Sequence, residues 1–198
     1  EISYIMCVLE NGHMGQLYYG KRIHDKPDFS YLVEKCGRPM TSYIFEGDRS
    51  FSLEHIRQEY PVYGTTDYRH PAIEIMQENG SNISEFKYVG YDILKGKPSL
   101  KGLPATYTES EEEAETLKII LKDSLTGAKL TLLYTIFSKG SAIARSAHIC
   151  NEGEKVLHLQ TMMSLNLDLP DKDYVWMQLS GAWSRERYVK NRILEQGI

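Results

Sequence analysis

Alternation dominates the C-terminal half of the chain. From position 156 onward, Leu157, Leu159, Thr161, Met163, Leu165, Leu167 and Leu169 make the odd register apolar at six of seven places. His158, Gln160, Ser164, Asn166 and Asp168 make the even register mostly polar. A helix would scatter these leucines around its circumference, whereas an extended strand sets them all on one face. The spacing predicts one continuous strand over 156–168, with Leu157, Leu159, Met163, Leu165 and Leu167 facing a core. Pro170 closes it, because proline removes a ladder donor.

Other predicted strands precede it. Residues 117–121 and 130–137 are rich in Leu, Ile, Thr and Tyr and flank the turn signal Thr126-Gly127. A run over 142–150 follows Lys139-Gly140-Ser141 and ends at Asn151-Glu152-Gly153. Short strands are also predicted over 174–179, and over 2–9 and 17–19 on either side of Asn11-Gly12. Turn signals recurring about every eight to twelve residues describe an all-β sandwich or barrel. Only 52–58 and 110–116 would accommodate a helical turn. Residues 45–72 mix aromatics, Gly, Arg and Asp without alternation and read as a long structured loop. Residues 95–115 are broken by Gly96, Pro98, Gly102 and Pro104 and end in an acidic run. No repeat or linker is visible, so 1–198 is read as a single domain.

Composition narrows the function. With 198 residues, 41% hydrophobic and 25% charged, the chain is globular and long enough to bury roughly 70% of its unfolded surface. A net charge of -4 gives no basic field for nucleic acid or an anionic membrane. No apolar run reaches bilayer-spanning length. The start at Glu1 lacks the basic flank of a signal peptide. Cys7, Cys36 and Cys150 are far apart and never form CxxC, so they read as free thiols in a reducing compartment, which places the protein in the cytoplasm.

The six histidines show neither HxH nor HExxH spacing, and no phosphate-cradling glycine loop or nucleophile elbow is present. No metal or cofactor is expected. His148 and His158 fall on the polar registers of adjacent predicted strands and read as a solvated cross-strand pair. Glu111, Glu112, Glu113 and Glu115 read as a solvated loop or edge, because catalytic carboxylates need a shielded site. The 14 tyrosines, against five Phe and two Trp, carry more information. Tyr43, Tyr60, Tyr63 and Tyr68 are interleaved with Glu46, Asp48, Arg49, Arg57, Asp67 and Arg69. Aromatic platforms with Asp and Arg suit sugar recognition. A tyrosine-rich plug with internal ion pairs is the other reading, and the residues leave both open.

Three stretches before position 73 carry a family resemblance, and a fourth near the C-terminus joins them. The first three are Asn11-Gly12-His13-Met14-Gly15-Gln16-Leu17-Tyr18-Tyr19-Gly20-Lys21, Phe45-Glu46-Gly47-Asp48-Arg49-Ser50, and Tyr63-Gly64-Thr65-Thr66-Asp67-Tyr68-Arg69-His70-Pro71-Ala72. With Gly181-Ala182-Trp183-Ser184-Arg185-Glu186-Arg187, they resemble the N-terminal domain of bacterial α-galactosidases of glycoside hydrolase family 36. The resemblance implies an all-β, galactose-mutarotase-like β-supersandwich of two large, mainly antiparallel packed sheets. It also implies a downstream (β/α)8 barrel with two catalytic aspartates, and a small C-terminal β domain, both absent from 1–198. Retention at the anomeric carbon would need those carboxyl groups about 5 Å apart. The chain alone is therefore expected to be inactive. Its implied partners are its own catalytic barrel, further copies in a tetramer, and a galactoside of the melibiose or raffinose type. No catalytic residue is assigned here. Asp48 and Arg49 are expected to contact sugar hydroxyls and Tyr63 and Tyr68 to stack, on a loop over 45–69. Arg49 pairing with Glu46 or Asp48 to shape the loop is the alternative. Two other functions stay open: a stand-alone carbohydrate-binding module, and a mutarotase-like enzyme using His148 and His158.

Overall fold

The computed structural model describes residues 1–102 and 105–195, so Pro104 of the irregular stretch lies outside the described residues. These residues form strands and, among those described, two single-turn 3-10 helices, Ser30–Leu32 and Glu111–Glu113. Two compact units are distinguishable, Glu1–Asp168 and the residues from Leu169 onward. The division falls where Pro170 ends the alternating segment.

In the first unit, β1 (Ile2–Val8) and β2 (Met14–Lys21) form an antiparallel hairpin reversed at Asn11-Gly12. β3 (Ile73–Gln77) precedes a four-stranded antiparallel meander in chain order. Its strands are β4 (Phe86–Lys95), β5 (Ala114–Asp123), β6 (Ala128–Phe137) and β7 (Ile143–Asn151). β8 (Leu157–Met162) returns to pair antiparallel with β3. The second unit is an antiparallel hairpin of β9 (Val175–Ala182) and β10 (Arg185–Ile193).

The meander follows from its side-chain pattern. Rows Leu121–Leu130–Ile149, Ile119–Leu132–Ala147 and Leu117–Tyr134–Arg145 run across β5, β6 and β7 on one face. The first two rows are apolar and the third turns polar. Between β5 and β6, Asp123 is buried and its Oδ1 accepts the Leu125 and Thr126 amides at 2.8 and 3.1 Å, which fixes the turn. Met14 of β2, Ile73 and Ile75 of β3, Phe86 of β4, and Tyr60 and Val62 of the long loop join these rows in the main core. Leu9, Phe51, Leu53 and Ile56 form a smaller buried cluster that pins the loop.

The continuous strand predicted over 156–168 is corrected: β8 ends at Met162. Glu74 pairs with Thr161 and Ile75 with Leu159, so Gln160 is skipped and the strand bulges. A one-residue bulge exchanges the faces beyond it. Leu157 and Met162, of opposite parity, therefore both pack on the core. Leu159 shares the face of Leu157, opposite buried Ile75, but is 49% exposed, and Met163 and Leu165, beyond the bulge, are 38% and 46% exposed and not inward-facing. The histidine pair is corrected too. His148 lies opposite Thr131 of β6 and His158 opposite Met76 of β3, because β7 and β8 are not neighbours. Residues 45–72 hold no named strand, as the pattern predicts. β3 is only five residues long, and β4 and β10 lack a clean alternation, so none of the three is predicted from the sequence; β4 is a sheet edge with a register shift beside Gly90.

Candidate functional site

The segment carrying Asp48 and Arg49 is a tight hairpin with an aromatic base. The Phe45 and Phe51 rings lie 5.1 Å apart, and Phe51 is buried among Leu9, Leu53 and Ile56. The Asp48 amide donates to the Phe45 carbonyl at 3.1 Å across a turn whose third residue, Gly47, has φ +83°. A type II turn requires that conformation, and it favours glycine. Asp48 Oδ1 then accepts the Ser50 hydroxyl at 2.6 Å and the Ser50 amide at 2.8 Å. The Ser50 hydroxyl, helped by that amide, holds the Asp48 carboxyl below the ordinary aspartate range. Arg49 is exposed at the tip, and among the described residues nothing pairs with it. Asp48 Oδ1 is thus engaged by Ser50, and the pairing of Arg49 with Glu46 or Asp48 does not occur.

Tyr63 and Tyr68 flank a second turn and meet edge-on, with ring centroids 5.4 Å apart. Between them, Gly64, Thr65 and Thr66 have φ of +118°, +49° and +74°. Positive φ at a β-branched residue costs on the order of 1–3 kcal/mol unless the surroundings impose it. Here they do. Gly64 and Asp67 exchange backbone hydrogen bonds at 2.8 and 3.0 Å, and Thr66 Oγ1 accepts the Leu53 amide at 2.9 Å. A side chain at position 64 would also strike Ile83, since a Cβ there would lie 2.8 Å from its Cγ2.

Asp67, grouped by sequence with sugar-binding residues, is buried and internally used. Its Oδ1 accepts the Arg69 amide and Nε at 3.1 and 2.9 Å. Its Oδ2 accepts Arg69 Nη2 and Gln58 Nε2 at 3.0 and 2.7 Å. Hydrogen bonding to Asp67 raises the Arg69 guanidinium above its ordinary range. Arg57 likewise pairs with Glu34 at 3.0 Å. The loop therefore combines both sequence readings: internal ion pairs fix its base, and Asp48, Arg49, Tyr63 and Tyr68 lie at its periphery. The tyrosines meet each other. They share no direct hydrogen bond or ring contact with Asp48 or Arg49 among the described residues.

A third cluster escaped the sequence reading. The Glu59 side chain is fully buried; Oε2 accepts the Tyr4 hydroxyl at 2.6 Å, and Oε1 accepts the Tyr134 hydroxyl at 2.7 Å. Arg145 Nη2 pairs with Oε1 at 2.5 Å, and Nη1 donates to the Asn166 carbonyl at 2.9 Å. The guanidinium also lies 4.8 Å from the Tyr134 ring centre. Burial pushes the Glu59 carboxyl up, opposed by Arg145 and the two hydroxyls. Burial, with the neighbouring carboxylate, raises both the Tyr4 and Tyr134 hydroxyls. With no solvent exposure and both oxygens engaged, Glu59 is a scaffold group and not an acid–base catalyst. One signal was available: Arg145 shares the inward register of Ile143, Ala147 and Ile149, and an inward arginine demands a carboxylate.

Among the described residues no group of His, Cys, Asp and Glu is arranged to hold a metal ion, and no helix is long and apolar enough to cross a membrane. Cys7, Cys36 and Cys150 are free thiols.

Comparison with known proteins bears directly on this chain. A family model, the glycosyl hydrolase family 36 N-terminal domain, matches residues 12–198. α-Galactosidase AgaA of Geobacillus stearothermophilus is 42% identical over 196 residues, covering 99% of this chain and 27% of that protein. α-Galactosidase Mel36A of Lactobacillus acidophilus is 33% identical over 199 residues, covering 100% of this chain and 27% of that protein. The structure of AgaA in complex with raffinose superposes with a TM-score of 0.93 over 99% of this chain and 27% of that one. The α-galactosidase from Lactobacillus brevis, 38% identical, gives 0.94 over 99% of this chain and 26% of its own. The chain thus spans about a quarter of the length of these relatives and shares the all-β, antiparallel-sheet architecture of the part it matches. It belongs to the glycosyl hydrolase family 36 N-terminal domain family.

Proposed function

We propose that this chain is the N-terminal accessory and oligomerisation domain of a retaining α-galactosidase acting on terminal α-galactosides of the melibiose or raffinose type. Residues 1–198 form one domain beside a catalytic (β/α)8 barrel on the same polypeptide, and the enzyme assembles as a cytoplasmic tetramer. The loop over 45–69 shapes an active site. Asp48 and Arg49 contact sugar hydroxyls, Tyr63 and Tyr68 offer ring faces, and catalysis itself falls to the barrel. The observation that carries the assignment is Arg49: a guanidinium held at the tip of a pinned hairpin, with no partner among the described residues, in a chain of this family. Neither nucleic acid nor a membrane is a partner of a chain with net charge -4. His148 and His158 sit on strands that do not pair with each other, so a mutarotase-type acid–base couple gains no support there.

The test is Asp48→Ala and Arg49→Ala in the full-length enzyme. Each is expected to lower kcat/KM about tenfold or more, equivalent to about 1.4 kcal/mol. Melting temperature and oligomeric state should stay at wild-type values, because neither side chain holds the core. Unchanged activity would remove these residues from the site, and loss of the tetramer would make them structural.

A further inference from the structure

The two halves of the candidate site belong to different turns, so something must fix their separation. Leu53, two residues beyond the Phe51 anchor of the Arg49 hairpin, gives both its backbone groups to the tyrosine-bearing turn. Its amide donates to Thr66 Oγ1 at 2.9 Å. Its carbonyl accepts Arg69 Nη2 and Gln58 Nε2, both at 3.2 Å. Those same two nitrogens also reach Asp67 Oδ2, at 3.0 and 2.7 Å. Arg69 and Gln58 therefore form two parallel bridges between the Leu53 carbonyl and the Asp67 carboxylate. Asp67, its side chain only 3% exposed, has every contact turned inward and cannot touch a sugar.

On the galactoside-site assignment made above, we propose that Asp67 and Arg69 are positioning residues. Their clamp holds the Tyr63–Tyr68 edge in register with the Arg49 tip, so that one substrate meets both. A planar guanidinium can bond the carboxylate through two nitrogens and still reach a carbonyl; an ammonium, with one nitrogen at the end of a flexible stem, lacks that fixed geometry. In Asp67→Asn, the side-chain amide nitrogen must face either the Arg69 Nε side or the Gln58 side, where a donor meets a donor. The turn would shift without loss of the surrounding fold, and small displacements of binding groups are costly in rate.

The experiment is a double-mutant cycle in the full-length enzyme, with Asp67→Asn and Arg69→Lys each combined with Arg49→Ala. Steady-state rates on raffinose would be measured well below every variant's melting temperature. Asp67→Asn is expected to lower kcat/KM about tenfold in the wild-type background, mostly through KM, and by a much smaller factor in the Arg49→Ala background. Arg69→Lys should show the same non-additivity. A purely structural role would instead scale activity by the folded fraction, equally in both backgrounds and in kcat. Equal fold-losses in the two backgrounds, or unchanged activity in Asp67→Asn beside an impaired Arg49→Ala, would overturn the positioning role alone. An inert Arg49→Ala would overturn the galactoside-site assignment, and the positioning role with it.

Discussion

Replacing Arg145 by Met tests the energetics of the buried cluster directly. The substitution keeps an unbranched apolar stem on β7 but removes the cation 2.5 Å from Glu59 Oε1. Glu59 is left fully buried with only the Tyr4 and Tyr134 hydroxyls, and the Asn166 carbonyl loses its donor. Stranding one member of a buried ion pair typically costs 3–5 kcal/mol, and the two remaining hydrogen bonds to the charge, worth about 1.5–3 kcal/mol each, were present beforehand and offset nothing new. Urea unfolding of the chain at pH 7, followed by far-ultraviolet circular dichroism, should lose about 3–5 kcal/mol. The penalty should depend on pH. Burial raises the Glu59 carboxyl, and without Arg145 it rises further, so the folded variant binds a proton that the unfolded chain has released. Stability of the variant therefore falls as pH rises through that elevated value and recovers toward acid. Adding Glu59→Gln to Arg145→Met should restore much of the loss, because no charge is then buried. A loss under about 1 kcal/mol at neutral pH, or a penalty that does not shrink on acidification, would refute the account.

His13 is buried, with Asn11 Nδ2 2.8 Å from its Nδ1, and burial lowers its pKa from 6.5 to about 4 against the opposing pull of Glu85. The unfolded chain thus binds the extra proton between those values, so stability should fall by up to roughly 3 kcal/mol as pH drops from 6.5 to 4, a slope that His13→Gln should lack in pH-dependent unfolding. Leu130→Ala, at 0% exposure on β6, should cost about 2–5 kcal/mol. Leu159→Ala, 49% exposed, should cost far less in the same denaturation assay, and equal losses would contradict its half-exposed position on β8.

The meander β5–β6–β7 was readable because its information is local. Alternating Leu, Ile and Tyr define the inward face, and Asp123, Gly127 and Gly140 mark where the chain reverses. The hairpin β1–β2 was readable for the same reason, and the four motif stretches were enough to name the family. What each face packs against was not written locally. At the Gln160 bulge one unpaired residue exchanges the inward and outward sets, and only the pairing of β8 with β3 reveals it. The spacing of His148 and His158 resembled a cross-strand pair, but β7 and β8 chose other neighbours. Within the loop, the composition of Asp, Arg and Tyr was visible but not its division of labour. Asp67 turned inward to Arg69 and Gln58, Asp48 Oδ1 was engaged by its neighbour Ser50, and Arg49 was left exposed without a partner among the described residues. Glu59 met Arg145 only because the fold brought four separate segments to one dry site. Side-chain periodicity is fixed by backbone geometry within a few residues; the partner of a strand or a buried charge is fixed by which distant surfaces exclude water together.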